Sequence, residues 1–408
     1  MSPSALPDGE AAPEDGALPA SAAAELHRRA LGAYVHVPFC ATRCGYCDFN
    51  TYTAAELGAE PGDARTSYLR ALATEIDVAA RTLTGAPPLS TVFFGGGTPT
   101  TLAVDDFASV LGRLRARLGM ADDAEVTTEA NPDSVTEQSL VGLREAGVNR
   151  ISFGMQSSAP HVLATLERTH TPGRALQAVR WARAAGFDSV SLDLIYGTPG
   201  ESLDDWRRSL DDALSVNPDH VSAYSLIVED GTRLAAQVRR GVLPMPDEDD
   251  LADKYFLADQ NLSAAGLDWY EVSNWARPGR ECRHNMAYWT SENWWGFGPG
   301  AHSHVGGVRW WNVKRPRAYA ARLLTDASAP GSPAAAREVL TDAERREERV
   351  LLELRLADGL PVDVLRPTER ARIPDVVTSG LAVESAGRLR LTQRGRLLAD
   401  AVIRDLLD

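Results

Sequence analysis

From about Ala33 to Glu229 the chain alternates two kinds of pattern. Short runs rich in β-branched and aromatic residues read as strands: AYVHVPF, STVFFGG, EVTTEAN, RISFGMQ, SVSLDLIYG and HVSAYSLIV. Between them lie longer stretches with apolar residues at helical spacing, such as SYLRALATEIDVAARTL, VDDFASVLGRLRARL and RALQAVRWARAAG. Strand and helix in alternation make a parallel sheet with crossover helices. Six such units fit an α/β protein with an incomplete (β/α)6 barrel over residues 31–240. The polar residues of these runs gather at their C-terminal ends: Gly95-Gly96-Gly97-Thr98, Glu129, Gln156, Asp193 and Tyr224. Parallel barrels carry their active sites at that face.

After Asp230 the alternation stops. EDDLADKYFLADQNLSAAG reads as one helix capped at Gly266, and DWYEVSNWA as a strand. CRHNMAYWTSENWWGFGPGAHSHVGGVRWWN, dense in Trp, His and Gly, makes 241–325 an aromatic-rich α+β segment of its own. DASAPGSPAAAREV reads as a linker, placed at 326–339. Residues 340–408 read helix, helix, hairpin (LAVESAGRLRLTQRG) and final helix, a winged-helix-like module. Its charges are balanced, which favours a lid or partner-docking role over DNA.

Composition sharpens this picture at three points. Residues 1–30, rich in Ala, Pro, Gly and acid, read as a disordered tail, without the basic and apolar regions of a signal peptide. A net charge of −14 argues against sequence-independent nucleic-acid binding. No run approaches the roughly 20 apolar residues of a membrane helix. A cytoplasmic location is expected, with a peripheral membrane contact and a homodimer left open.

The strongest chemical signal is Cys40-x-x-x-Cys44-x-x-Cys47. Three closely spaced thiolates can hold three irons of a [4Fe–4S] cube, which normally takes four cysteines. The fourth iron is then open to a small molecule. A Cys₃His zinc site, using distant Cys282 or His284, is the alternative. Zinc motifs usually pair their cysteines in two separated knuckles, however. Four cysteines in 408 residues are too few for a disulfide scaffold. The glycines of FFGGGTPT allow close approach of backbone to a ligand, but match neither a P-loop nor a dinucleotide fingerprint.

Cys40-x-x-x-Cys44-x-x-Cys47, with Tyr46 before the last cysteine, resembles the signature of the radical S-adenosylmethionine (SAM) superfamily. YVHVPFC narrows the resemblance to oxygen-independent coproporphyrinogen oxidases and their relatives, the HemW heme chaperones. It runs from about Tyr34 to Leu407. The resemblance implies a [4Fe–4S] cluster on Cys40, Cys44 and Cys47, with SAM on the open iron. It implies SAM contacts at Tyr34, Tyr46, Gly96, Gly97, Thr98, Glu129, Gln156, Arg168 and Asp193, and adenine contacts at Ile227 and His302. The bland alternatives are core packing for Tyr34, a helix-capping acid for Glu129 and a solvated helix residue for Arg168.

The oxidases carry a fourth cysteine two residues after the third, where this chain has Phe49 in CDFN, the HemW-like pattern. That group also carries H-N-x-x-Y-W, matched by His284-Asn285-Met286-Ala287-Tyr288-Trp289. An imidazole is a good haem ligand, so the resemblance makes His284 a haem contact; without it, a hydrogen-bonded histidine in an aromatic segment is favoured. The implied function is a heme chaperone passing haem to an acceptor such as a respiratory haem protein. The alternative is oxidative decarboxylation of coproporphyrinogen III to protoporphyrinogen IX.

Overall fold

The computed structural model describes residues 8–58, 61–325 and 331–407. Six parallel strands run in chain order: β1 (Leu31–Val37), β2 (Leu89–Gly96), β3 (Met120–Ala130), β4 (Arg150–Gln156), β5 (Ser189–Tyr196) and β6 (His220–Ser225). Six more strands extend this sheet: β7 (Asp268–Glu271), β8 (Asn274–Ala276), β9 (Asn293–Phe297), β10 (His302–Val305), β11 (Val308–Asn312) and β12 (Ala334–Val339). The order across the twelve-stranded mixed sheet is β12-β11-β10-β9-β1-β2-β3-β4-β5-β6-β8-β7.

The helices between β1 and β6 cover the outer face. In helix Val104–Leu118, Phe107, Val110, Leu111 and Leu114 are buried, the three-and-four spacing of a single helical stripe. Phe107 packs its ring 4.7 Å from that of Phe94 on β2. Removing such a buried aromatic costs about 3–5 kcal/mol. Gly119, at φ 72°, ends the helix in a conformation that excludes most side chains.

β9 joins the parallel sheet beside β1, with Tyr34 opposite Gly296. Buried Glu75, on helix Pro61–Thr82, fastens this extension. It accepts from Gly298 N–H at 2.8 Å, Asn312 Nδ2 at 2.7 Å and the Tyr319 hydroxyl. Burial still raises its carboxyl to about 7.

A second apolar cluster, including Val350, Leu354, Leu389 and Val402, organises the C-terminal residues. Helix Asp342–Glu353 leads into β13 (Leu360–Pro361), β14 (Ala382–Ser385) and β15 (Arg388–Leu391), a three-stranded sheet in the order β13-β15-β14.

Three expectations need correction. The disordered reading of 1–30 fails over 8–30; residues 1–7 lie outside the described residues. Ala20–Glu25 is helical, Ala22 and Leu26 are buried in the main core, and Glu10 bridges Arg337. A few apolar anchors suffice once a sheet edge is there to pair with. The linker reading of 326–339 fails at Ala334–Val339, which pairs antiparallel with β11; 326–330 lie outside the described residues. DWYEVSNWA forms two strands, β7 and β8, paired antiparallel around Val272 and Ser273.

Candidate functional site

One cavity of about 770 Å³ is lined from the ends and inner faces of β1 to β6. Its rim begins where β1 ends. Cys40 N–H donates to Tyr52 O at 3.1 Å and Tyr52 N–H to Pro38 O at 2.7 Å, closing the cysteine loop on itself. Gly45 N–H donates to Leu166 O, and Leu234 N–H to Gly45 O, so the loop is held from both sides. Cys40, Cys44 and Cys47 are free, partly exposed thiols that all line the cavity. Burial pushes the Cys47 thiol up to about 11 and also raises Cys40. The Cys47 thiol stays protonated until a positive centre replaces the proton. Among the described residues no three His, Cys, Asp or Glu side chains converge as a single-ion site would require.

The glycines after β2 lie against this loop. Gly97 N–H donates to Val37 O and Thr98 N–H to Phe39 O, each at 2.8 Å. A Cβ at Gly97 would stand 2.5 Å from Phe39 O and 3.0 Å from Cys40 Sγ. Gly96 has φ 106°, and a Cβ there would strike the His36 ring.

The walls carry the expected polar residues. Tyr34 bonds His36 Nδ1 at 3.1 Å and stacks on Phe93. Burial, with Asp193 nearby, pushes the Glu129 carboxyl up to about 8. Burial also raises Asp193, opposed by the Ser152 hydroxyl that donates to it at 2.8 Å. A bulge between Gly154 and Gln156 ends the β4 pairing, with Gln156 at φ 66°. Such a bulge re-aims a side chain, and Gln156 lines the cavity. Arg168 sits in the loop after helix Pro160–Thr165 rather than on a helix. It donates to Cys44 Sγ at 3.3 Å and Gly154 O at 3.1 Å. Tyr46 and Ile227 complete the rim.

His302 does not join them. It lies on β10, opposite and stacked on Trp311, and is not among the cavity-lining residues. The GFGPGAHS loop approaches β1 instead: a Cβ at Gly298 would stand 2.5 Å from His36 O.

The floor is built by helix Arg283–Trp289 and the beginnings of the strands. Glu125 accepts from the N–H groups of Arg283 and His284, each at 3.0 Å, and from Cys282 Sγ at 3.6 Å. Burial pushes the Cys282 thiol up to about 12, so it is an inert thiol here. His284 is 1% exposed. Its Nδ1 bonds Thr91 Oγ1 and its Nε2 bonds the Tyr288 hydroxyl, both at 2.8 Å. Burial lowers its pKa to about 3, so the ring is neutral. His284 therefore faces the cavity, yet as placed neither ring nitrogen is free for iron.

Sequence reasoning passed over Arg150, His220 and Tyr270, which also line the floor. A charged residue opening the apolar run RISFGMQ was the available signal for Arg150.

Residues 34–213 match the model of the radical SAM superfamily. The "Heme chaperone HemW" of Mycobacterium tuberculosis H37Rv is 54% identical over 377 residues, 92% of this chain and 95% of that one. The chain belongs to the HemW heme chaperone family. The Bacillus subtilis HemW is 36% identical, covering 91% of this chain and 97% of its own. Among solved structures, the radical SAM coproporphyrinogen III oxidase HemN of Escherichia coli superposes with a TM-score of 0.80. It covers 95% of this chain and 92% of its own at 23% identity, a likeness of fold. Membership of the superfamily implies a [4Fe–4S] cluster and SAM. No helix among the described residues is long and apolar enough to cross a membrane.

Proposed function

We propose that this chain binds haem, holds a SAM-coordinated [4Fe–4S] cluster on Cys40, Cys44 and Cys47, and passes haem to an acceptor protein. The observation that carries this reading is the cavity rim. Three thiols and the glycine edge at Gly97 face one opening, and Phe49, 59% exposed there, stands where the oxidases of the resemblance have a fourth cysteine.

When bound, the cluster supplies an electron to SAM. The chain's own part is positioning. Gly96, Gly97 and Thr98 leave room for the aminoacyl end of SAM beside Cys40. Glu129 and Asp193 offer carboxylates to its ammonium and ribose, and Tyr34, Gln156, Arg168 and Ile227 complete the pocket. Arg168, donating to Cys44 Sγ, stabilises negative charge on that sulfur. His284 is read as the haem contact. Ligation then requires the Tyr288 hydroxyl to release Nε2. Phe93 and Tyr34, stacked on the His284 ring at centroid distances of 5.3 and 6.4 Å, supply flat apolar surface.

In this reading residues 31–240 form the barrel and 241–325 the haem-associated segment. Residues 340–408 form a winged-helix-like module that docks the acceptor. Anaerobic reconstitution tests the metal part: wild type takes up four irons per chain, and the Cys40→Ser variant loses them. Haem titration tests the other: His284→Ala weakens haem binding at least about tenfold, the loss of one coordination bond converted at 1.4 kcal/mol per decade. Unchanged haem affinity in that variant removes His284 from the account.

A further inference from the structure

We propose that Arg150 is a carboxylate-binding residue on the cavity floor, there to grip an acidic side arm of the bound ligand. The assignment rests on the haem reading for the identity of that arm, but its geometry stands apart from it. Three guanidinium groups line the cavity: Arg43, Arg150 and Arg168. Arg43 pairs with Glu56 at 3.4 Å, and Arg168 donates to Cys44 and Gly154. Arg150, only 4% exposed, has no side-chain hydrogen bond or ion pair among the described residues, and its Nε is fully buried.

The acids close to Arg150 are otherwise engaged. Glu125 is taken up by the N–H groups of Arg283 and His284. Asp193 accepts from Ser152. Burial opposes the Arg150 charge, and the nearby carboxyl groups of Glu125 and Asp193 favour it. A permanently charged fork is thus buried among acids that favour its charge, but with none of them in hydrogen-bond contact. Buried charges are normally paired. A guanidinium matches a planar carboxylate with two parallel hydrogen bonds.

Position narrows the choice of ligand. Arg150 opens β4 and Gln156 closes it, six residues or about 20 Å of strand apart. Arg150 therefore lies deep below the cysteine rim. It lies close to His284 along the sheet. Thr91, which bonds His284, pairs with Glu125, and Thr127, two residues on, pairs with Arg150. One ligand can thus meet the imidazole and the guanidinium together. Both proposed ligands carry carboxylates: the propionates of haem and the methionine end of SAM. Depth favours a propionate.

The experiment uses the cluster-loaded protein. Ferric protoporphyrin IX and its dimethyl ester, which lacks free carboxylates, are titrated by absorbance, and SAM by calorimetry. Wild type is expected to bind the free acid about tenfold more tightly than the ester. Arg150→Met should lose that preference by weakening the acid alone, and Arg150→Lys should keep part of it. If Arg150→Met instead weakens SAM and leaves the acid preference intact, the carboxylate gripped is that of SAM and the site stands. Equal binding of acid and ester by wild type, with SAM affinity unchanged in Arg150→Met, overturns the proposal even if the variant folds poorly with porphyrin. Should wild type bind neither porphyrin, the haem reading fails and the SAM titration alone decides Arg150.

Discussion

Replacing Tyr288 with Phe isolates the contact that keeps His284 from iron. The ring of Tyr288 packs edge-on against Trp294 at 4.6 Å and His284 at 5.0 Å, contacts that Phe retains. Only the hydroxyl bonded to Nε2 at 2.8 Å is lost. A neutral hydrogen bond contributes about 1 kcal/mol net. Haem no longer has to break it, so affinity should rise roughly fivefold, at 1.4 kcal/mol per decade. The haem-free variant should lose about 1 kcal/mol or somewhat more in stability, because a buried nitrogen is left without a partner. Haem should restore that stability. Soret titrations and thermal unfolding with and without haem read both effects. Unchanged or weaker haem binding in Tyr288→Phe would refute the idea that this hydroxyl masks the ligand.

Five further outcomes follow from the geometry. With its carboxyl pushed up to about 8, Glu129 is some nine-tenths protonated at pH 7 and must lose that proton to bind a cation. SAM affinity should rise about tenfold from pH 7 to pH 9, and Glu129→Gln should flatten that profile in calorimetric titrations. Because burial holds His284 near 3, no proton competes for Nε2 between pH 8 and pH 5, and haem affinity should be level there. The same shift has a cost for the fold. Unfolded chains take up a proton at this histidine below about pH 6.5, folded ones do not. Stability should fall as pH drops from 6.5 towards 3, and His284→Gln should reduce that slope in denaturant titrations. Gly97→Ala, forced against Phe39 O and Cys40 Sγ, should cost about 1–3 kcal/mol and lower the iron content. Gly112→Ala, open to solvent within helix Val104–Leu118, should instead stabilise by about 1 kcal/mol.

The elements most legible in the sequence are those whose pattern is local. RISFGMQ is β4 to the residue, because a run buried along its whole length is bounded by Asn149 before it and Ser157 after. VDDFASVLGRLRARL is its helix to the residue, because one apolar stripe ends at a glycine. The cysteine loop and the polar strand ends were readable together, since parallel topology sends every strand's C-terminal end to one face. Strands β9 to β12 were not, because their pairing is settled by distant partners: β9 lies beside β1, more than 250 residues away. His302 illustrates the same limit. A short glycine motif places it near β1, but only strand pairing shows that its ring turns to Trp311. Arg150 and Tyr288 were visible as residue types but not as neighbours of one cavity. Burial without a partner, and a hydroxyl on a particular nitrogen, are properties of packing.

The account centres on a protein that carries haem rather than one that makes its precursor. The most direct test is mass analysis of tetrapyrrole after anaerobic incubation of reconstituted protein with reductant, SAM and coproporphyrinogen III, beside an active oxidase. The account predicts that the coproporphyrinogen mass is unchanged while the control reaction proceeds. Loss of two CO₂ per molecule would make the chain an oxidase and contradict the reading of Phe49 on which the chaperone function stands.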